Sequence, residues 1–197
     1  MEIDINKEAF SIGDKYRIYL VGKQKYSASA KLFRIFNELY VYEQGNDRLA
    51  CHIKRKTLFR VTYEITMGNR NVYRFWTKKF WKGHFCCRVG HDLYEVFAHK
   101  GRKHSVYKND TQIAWWDKQA VSWFNGDNYK ITADNGSDYE LIISFCLIID
   151  SFFSSGGKKS AVNIDIGRLW LQAKEFDTAW KPGGRRDGRL LRNYPSR

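Results

Sequence analysis

The chain has 197 residues, of which 43% are hydrophobic and 16% aromatic, and it carries a formal net charge of +13. This composition excludes a largely disordered or fibrous chain and fits one domain with a sizeable core, with or without a tail. The charge indicates attraction to an anionic partner, although many basic proteins are simply soluble and basic, and it says nothing about fold.

The cysteines and the first residues of the chain indicate its cellular compartment. Cys51, Cys86, Cys87 and Cys146 form no CxxC motif and show no spacing typical of disulfides. The opening stretch Met1–Asp4 is acidic and lacks the basic region and apolar run of a signal peptide. We therefore expect reduced thiols and a cytoplasmic location.

Short segments with apolar residues at every second position recur along the chain, as in Tyr16–Leu20, Phe59–Ile65 and Tyr129–Ala133. This is the period of a half-buried strand. Turn signals containing Gly or Asn separate the segments at close intervals, and both prolines lie in the last 16 residues. We count about twelve candidate strands between Tyr16 and Ala133, which predicts an up-and-down antiparallel β domain.

One helix is predicted at about 137–153. Ser137 and Glu140 have the spacing of a capping box, in which each side chain accepts a backbone N–H of the first turn. The run Leu141–Ile149 is apolar all round, so the helix must be buried on every side. Its predicted core residues are Leu141, Ile142, Phe145, Ile148 and Ile149.

The apolar run is nine residues long and ends at Asp150, whereas crossing a bilayer takes roughly 20 residues. No transmembrane segment is therefore predicted. A closed barrel of about twelve strands is too wide for its own side chains to fill, and a central helix can occupy that space. We predict a mainly β fold in which an antiparallel barrel encloses the helix.

Three stretches resemble the LURP-one-related family, which belongs to the tubby C-terminal-like superfamily together with the phospholipid scramblases. Phe10–Ile18 resembles the family's first strand, the region from Lys31 to Ile65 its repeated hairpins, and Asp138–Asp150 its closing hydrophobic helix. The resemblance covers roughly residues 8–153 and implies a closed twelve-stranded barrel around a central C-terminal helix.

The family also suggests a function by analogy. Tubby domains bind membrane phosphoinositides and scramblases are linked to lipid redistribution, while many LURP-one-related proteins have no assigned activity; fold alone does not decide between them. The chain departs from the family by extending past the helix. We therefore expect a barrel domain over 1–153 and a basic, partly disordered extension over 154–197.

No catalytic motif is visible, since GxSxG, HExxH, GxGxxG and CxxC are all absent. Gly156–Ser160 is similar to a P-loop, but position 152 is Phe where the motif needs Gly, and Lys159 replaces the Ser or Thr that would bind Mg²⁺. We therefore predict a protein that is not an enzyme and uses no cofactor.

Two groups of candidate metal ligands are rejected. Cys86 and Cys87 are neighbours in a strand-like segment, so they point to opposite faces and cannot easily share one ion with His84 and His91. The acidic stretch Asp134–Glu140 lacks the spacing of an EF-hand loop, and a turn followed by a helix cap explains its residues. No metal site is predicted.

Basic clusters near predicted strand ends are the main positive feature. They comprise Lys54, Arg55 and Lys56; Lys78, Lys79 and Lys82; and Lys100, Arg102 and Lys103. Loops at one end of a barrel can gather such groups into one patch, which attracts anionic headgroups at about 1 kcal/mol per charge. The alternative is a scattered, solvated set of lysines.

The extension differs in kind from the rest of the chain. Ile164–Phe176 is compatible with a short helix, whereas the Gly/Arg/Pro composition beyond Trp180 predicts disorder and ordering on an anionic partner. Its candidate contacts are Arg185, Arg186, Arg189 and Arg192. Trp180 and Tyr194 would permit stacking on bases, and a plain solubilising tail is the alternative.

Together these features favour a non-enzymatic, monomeric module that binds anionic, phosphoinositide-like lipids peripherally at the inner face of a membrane. The alternative hypothesis is a binder of nucleic acid or of an acidic protein, which works through the arginine-rich tail and uses the barrel as a scaffold. A third hypothesis is an enzyme with an unfamiliar site or a ligand pocket at the barrel mouth.

Overall fold

The structure, a computed structural model, describes residues 1–8, 14–31, 38–57, 62–119, 128–155 and 173–184. Within these ranges it contains twelve strands, one α-helix and two short 3₁₀ turns. The strands are β1 (Glu2–Lys7), β2 (Lys15–Leu20), β3 (Lys23–Lys31), β4 (Glu38–Glu43), β5 (Leu49–Arg55), β6 (Thr62–Met67), β7 (Val72–Lys79), β8 (His84–Val89), β9 (Asp92–Ala98), β10 (Lys103–Lys108), β11 (Thr111–Gln119) and β12 (Asn128–Ala133). The helix α1 spans Tyr139–Ser155, and the 3₁₀ turns are Phe80–Lys82 and Lys100–Arg102.

The strands form a closed antiparallel barrel in which each strand pairs with its neighbours in sequence. Pairing of β1 with β12, in the register Ile3 to Ile131, closes the ring. The predicted fold class is therefore confirmed. The assignment of Phe10–Ile18 as the first strand is wrong, because β1 precedes it and Lys15–Ile18 belongs to β2. Only Ile3 and Ile5 mark β1 in the sequence, too short a pattern to stand out.

Helix α1 lies inside the barrel. Its five predicted core residues, from Leu141 to Ile149, are all at most 4% exposed, and they pack against inward residues of the strands. Phe145, for example, lies between Phe75 and Tyr94, with ring centroids 5.2 and 6.1 Å away. The helix therefore fills the space that a ring of twelve strands leaves open. No helix in the described part of the chain is long and apolar enough to cross a membrane.

The start of α1 differs from the predicted capping box. Asp138, not Ser137, caps the helix, because its Oδ1 accepts the N–H of Leu141 at 3.1 Å. Ser137 lies in the preceding turn, where its N–H donates to the carbonyl of Asp134. Glu140 does not reach back to the cap and instead accepts the hydroxyl of Tyr26 at 2.8 Å. Asp and Ser are comparably good caps, so spacing alone could not choose between them.

Part of the C-terminal extension packs on the outer face of the barrel. The ring of Phe176 contacts those of His99 and Trp115, with centroids 5.1 and 5.5 Å away. Trp180 Nε1–H donates to the carbonyl of Gln112 at 2.9 Å, and the N–H of Gly183 donates to Asp134 Oδ1 at 2.7 Å. Trp180, proposed above for base stacking, is thus bonded to the barrel.

The other features of the extension fall largely outside the described residues. Of the predicted helix Ile164–Phe176, only residues 173–176 are described, and they are not helical. The four tail arginines, Tyr194 and the Gly156–Ser160 segment are not among the described residues, so their predicted roles stay predictions.

The turn between β2 and β3 is strained at Val21. Val21 and Gly22 have φ values of 49° and 76°, the pair of positive values that a type I′ hairpin turn requires and that Asn-Gly adopts best. A β-branched residue in this region is disfavoured, and Val21 is 75% exposed, so burial does not compensate.

We expect Val21→Asn to raise the free energy of unfolding by about 1 kcal/mol, measured by urea denaturation. The matched control is Val72→Asn, because Val72 is also exposed (57%) but lies in a strand, where the same change should leave stability unaltered or lower it. Equal effects of the two substitutions would contradict this explanation.

Candidate functional site

The three predicted basic clusters lie at one end of the barrel. They occupy the connections β5–β6, β7–β8 and β9–β10 together with the adjoining strand ends. Because neighbouring strands are antiparallel, every second connection returns to the same end, and these three follow one another around the ring. We call this set the basic rim; it consists of Lys54, Arg55, Lys56, Lys78, Lys79, Lys82, Lys100, Arg102 and Lys103.

Helix α1 ends at the same end of the barrel and contributes an aromatic cluster. Phe152 packs edge-on against Phe80, with centroids 6.1 Å apart, and Phe80 packs edge-on against Trp81 at 5.5 Å. The guanidinium of Arg55 lies 5.7 Å from the Phe152 ring. Trp81 itself is 74% exposed. The turn Phe80–Lys82 thus presents a large apolar side chain to solvent among lysines.

A β-bulge shapes this turn. The register between β7 and β8 shifts between Thr77 and Lys79, so that Thr77 pairs with Phe85, Lys79 pairs with His84, and Lys78 is extra. As a result Lys78 and Lys79 are both exposed, which strict alternation in a strand would not allow. The bulge therefore brings two consecutive lysines to the surface beside Trp81.

Three of the rim cations are paired with carboxylates on the barrel wall. Lys54 Nζ lies 3.4 Å from Glu38, and Lys56 Nζ lies 3.2 Å from Glu64. Lys78 Nζ lies 3.1 Å from Glu95 Oε1, and this hydrogen bond raises the pKa of Lys78 above its ordinary value. These ion pairs reduce the attraction of the three lysines for an external anion.

Lys103 and Arg55 are also engaged with the protein. Lys103 Nζ lies 5.7 Å from the Trp115 ring centroid and 5.2 Å from that of Phe176, in the docked extension. Arg55 Nε donates to the carbonyl of Thr57 at 2.9 Å. The remaining four, Lys79, Lys82, Lys100 and Arg102, make no ion pair with any residue that the structure describes.

The opposite end of the barrel has a different charge balance. Of its cations, Arg48 and Lys108 are paired with Glu43 and Asp92, whereas the exposed Lys23, Lys25, Arg70 and Arg88 make no ion pair with a described residue. It also carries acids around the start of α1, including Asp138 and Glu140. Unpaired cations of the described residues therefore lie at both ends of the barrel, and those of the rim differ in lying on the side of the exposed Trp81 and away from the acids at the start of α1.

A buried carboxylate lies beneath the rim. The Asp150 side chain, 1% exposed, accepts hydrogen bonds from Tyr16 Oη at 2.7 Å, from Tyr129 Oη and from Lys7 Nζ at 3.0 Å. Burial alone would raise the pKa of Asp150, but the Lys7 ammonium and the two tyrosine hydroxyls outweigh it and hold the pKa below its usual value. The sequence shows Asp150 only as the end of an apolar run.

Asp150 joins the end of α1 to three strands, because Lys7, Tyr16 and Tyr129 belong to β1, β2 and β12. Lys118 Nζ from β11 lies 3.8 Å away. The Asp150 cluster fixes the end of α1 against these strands, below the rim. Because its members bond to one another, it is a structural element more than an open binding site.

A second polar cluster lies on the outer wall of the barrel. His84 Nε2 is 2.9 Å from Glu95 Oε1, and Cys86 Sγ is 3.8 Å from each of these atoms. Within the described residues, this is the group of His, Cys, Asp and Glu side chains whose ligand atoms are close enough to share a metal ion. Cys87 points into the core, as alternation predicts, and takes no part.

Cysteine-based nucleophilic chemistry is disfavoured. All four cysteines are free and buried. Burial raises the pKa of Cys51, Cys86 and Cys87 to about 12, and it also raises that of Cys146 well above its ordinary value. Since the thiolate is the reactive form, none of these thiols is poised to attack a substrate at neutral pH.

Comparison with known proteins gives one result. A family model described as LURP-one-related matches residues 1–150, which is 150 of the 197 residues and includes all twelve strands. No curated protein and no solved structure matches the chain.

Proposed function

We propose, since the chain belongs to the LURP-one-related family, that it is a non-enzymatic binding module which attaches peripherally to anionic membrane lipids through its basic rim. The observation that carries the proposal is the position of Lys79, Lys82, Lys100 and Arg102. These four cations lack ion-pair partners in the described part of the chain and lie in or beside the connections β7–β8 and β9–β10 at one end of the barrel, the first of which carries the exposed Trp81.

Electrostatics supports a lipid surface as the partner. Each Lys or Arg close to an anionic leaflet contributes about 1 kcal/mol, so four unpaired cations would contribute about 4 kcal/mol at most. The ammonium and guanidinium groups also donate hydrogen bonds to phosphate oxygens. Headgroups with several phosphates, as in phosphoinositides, would satisfy more of these donors at once than a single phosphate could.

Trp81 supports a membrane more than a dissolved anion. The Trp81 side chain is 74% exposed, and contact of its apolar surface with water is unfavourable unless a partner covers it. Tryptophan side chains are enriched at the headgroup level of bilayers, where their ring is buried and their N–H stays hydrated. Attachment through the rim would place Trp81 at that level and direct the acidic start of α1 away from the surface.

The test is co-sedimentation of the full chain with neutral, phosphatidylserine-rich or phosphoinositide-containing vesicles, at low and at physiological salt. Lys79→Gln together with Lys82→Gln should weaken binding to anionic vesicles about 30-fold, which corresponds to about 2 kcal/mol. The matched control is Lys23→Gln with Lys25→Gln, which removes two charges from the exposed start of β3 at the opposite end. Equal weakening by both pairs would refute a specific rim.

Trp81→Ala separates insertion from simple charge attraction. It should weaken vesicle binding at physiological salt, where screened charge contributes less, while Val72→Ala at the opposite end should not. If Trp81→Ala has no effect at any salt concentration, the aromatic turn does not enter the membrane and that part of the proposal fails.

The tail hypothesis is tested in the same assay. Changing Arg185, Arg186, Arg189 and Arg192 to Gln in the full chain should leave most vesicle binding intact. If this variant loses binding while the rim variant retains it, affinity resides in the tail, which would favour nucleic acid or an acidic protein as the partner.

A further inference from the structure

We propose that His84, Cys86 and Glu95 form a binding site for a borderline-soft divalent cation of the Zn²⁺ class on the outer wall of the barrel. The site adjoins the basic rim at Lys78 but does not depend on the lipid proposal. Its three ligand atoms are His84 Nε2, Cys86 Sγ and Glu95 Oε1, which all lie within 4.8 Å of one another.

The fold brings the three side chains together in two steps. His84 and Cys86 are two residues apart on β8 and therefore share a face of the sheet. Glu95 is directly opposite Cys86 on β9, in the antiparallel register that runs from Val89–Asp92 to His84–Phe97. The hairpin β8–β9 thus supplies all three ligands on a rigid part of the barrel.

The distances fit a tetrahedral ion with small adjustments. Bond lengths of about 2.1 Å to N and O and 2.3 Å to S separate tetrahedral ligand atoms by about 3.4–3.6 Å. The observed separations are 2.9 Å for N to O and 3.8 Å from sulfur to each of the others. Movements of a few tenths of an ångström, within one rotamer of each side chain, would accommodate the ion.

The donor set selects the kind of metal. Imidazole nitrogen and thiolate sulfur suit Zn²⁺ and related transition metals, whereas Ca²⁺ and Mg²⁺ require oxygen ligands throughout. A thiolate and a carboxylate together balance the two positive charges of the ion. On binding, the thiol proton of Cys86 passes to solvent, and His84 carries its ring proton on Nδ1 while Nε2 coordinates.

The surroundings hold the ligands, and Lys78 lies against them. His84, Cys86 and Glu95 are 6, 1 and 9% exposed, and the ring of Phe97 stacks on that of His84 at 4.4 Å. Lys78, the extra residue of the bulge, covers the site with a side chain that is 48% exposed and bonds Glu95 Oε1 at 3.1 Å. Rotation of Lys78 into solvent would free this oxygen and open a fourth position for water.

The first experiment titrates the metal-free full chain with Co²⁺ and follows its absorption, then displaces Co²⁺ with Zn²⁺. We expect one equivalent to bind and to produce a thiolate-to-cobalt charge-transfer band in the near ultraviolet. Zn²⁺ should abolish this band and raise the thermal unfolding temperature, because the assembled site binds it more tightly than the unfolded chain does. Absence of the band in the wild-type chain would overturn the proposal.

Variants assign the ligands. Cys86→Ser should remove the charge-transfer band, while Cys87→Ala, which changes the adjacent thiol on the core side, should retain it. Glu95→Gln should weaken Zn²⁺ binding at least 10-fold, the usual effect of perturbing the ligand shell. If Cys86→Ser keeps the wild-type band, another thiol binds the metal and the assignment is wrong.

Lys78→Gln provides a test in the opposite direction. The Lys78 ammonium competes with the metal for Glu95 Oε1, so removing it should tighten Zn²⁺ binding about 2- to 5-fold, as expected for loss of a half-exposed ion pair. A purely structural role of the cluster predicts lower stability without tighter metal binding. Weaker Zn²⁺ binding in Lys78→Gln would count against a metal at this position.

Discussion

Replacing Asp150 by alanine should lower the free energy of unfolding by about 3–5 kcal/mol, as expected when one partner of a buried charged cluster is removed. The substitution removes the carboxylate that accepts the hydroxyls of Tyr16 and Tyr129. It also removes a carboxylate that bonds Lys7 alongside that of Asp14. The change is measured by urea denaturation at pH 7, with circular dichroism of the folded state as a check on structure.

The pH dependence of stability gives an independent test with Asp150→Asn. Because the pKa of Asp150 is lower in the folded than in the unfolded chain, its charge stabilises the fold above the unfolded pKa of about 4, and this contribution is lost as the pH falls through the folded pKa. The stability difference between wild type and Asp150→Asn should therefore narrow between pH 7 and pH 2. A constant difference would mean that the carboxylate charge contributes nothing.

Asp14→Asn is the matched control for Asp150. Asp14 also bonds Lys7, at 2.9 Å, but its side chain is 30% exposed and the pair is screened by water. We expect a loss of less than about 1 kcal/mol. Similar losses in the two variants would show that Lys7, and not the buried carboxylate, determines the stability of this cluster.

Phe145→Ala should also cost about 3–5 kcal/mol, because it leaves a cavity at the centre of the molecule. The ring is fully buried in the middle of α1 and packs against Phe75 and Tyr94. The barrel wall is a closed hydrogen-bonded ring, so it cannot collapse far inward to fill the space. Chemical denaturation followed by tryptophan fluorescence measures the loss.

Phe152→Ala is the comparison for Phe145. Phe152 lies in the last turn of the same helix, but it is only partly buried, beneath the rim, against Phe80 and Arg55. Its loss should cost less than half as much as that of Phe145. If Phe152→Ala is as destabilising as Phe145→Ala, the helix is anchored at its end and the centre of the barrel is not its main support.

The fold could be predicted because two hydrophobic patterns are clear in the sequence. Alternation in segments such as Tyr129–Ala133 and the wholly apolar run Leu141–Ile149 predict strands around a buried helix, and the structure has both. Strand β1 was missed because two isoleucines in an acidic segment give little pattern by themselves. Its place is fixed by pairing with β12, which is more than 120 residues away.

The basic rim could be predicted only in part. The sequence marks the three clusters, and their common end follows from counting strands, since two strands separate each cluster from the next. The pairing of Lys54, Lys56 and Lys78 with glutamates depends on cross-strand register and could not be read from local pattern. The bulge at Lys78 likewise has no signal in the local pattern that we can identify.

The proposed metal site at His84, Cys86 and Glu95 has a recognisable signal in the sequence. The local pattern groups His84 and Cys86 with Cys87 and His91, whereas Glu95 lies on the next strand. A two-residue turn at Gly90–His91 pairs Val89 with Asp92, and continuing that register places Cys86 opposite Glu95. The position of Glu95 opposite Cys86 could therefore be inferred from the turn. The burial of Glu95 could not, because it depends on the closed barrel.

Closure of the barrel by the first and last strands has a consequence for synthesis. Residues 2–7 leave the ribosome before residues 128–133, and at about 5–20 residues per second the wait is about 6–25 s. Helix α1 emerges later still, so throughout that time the inner faces of the strands have nothing to pack against. Such distant pairings fold slowly and expose edges that aggregate. We therefore expect the yield of folded protein in a cell to respond more to translation speed and chaperones than to small changes in stability.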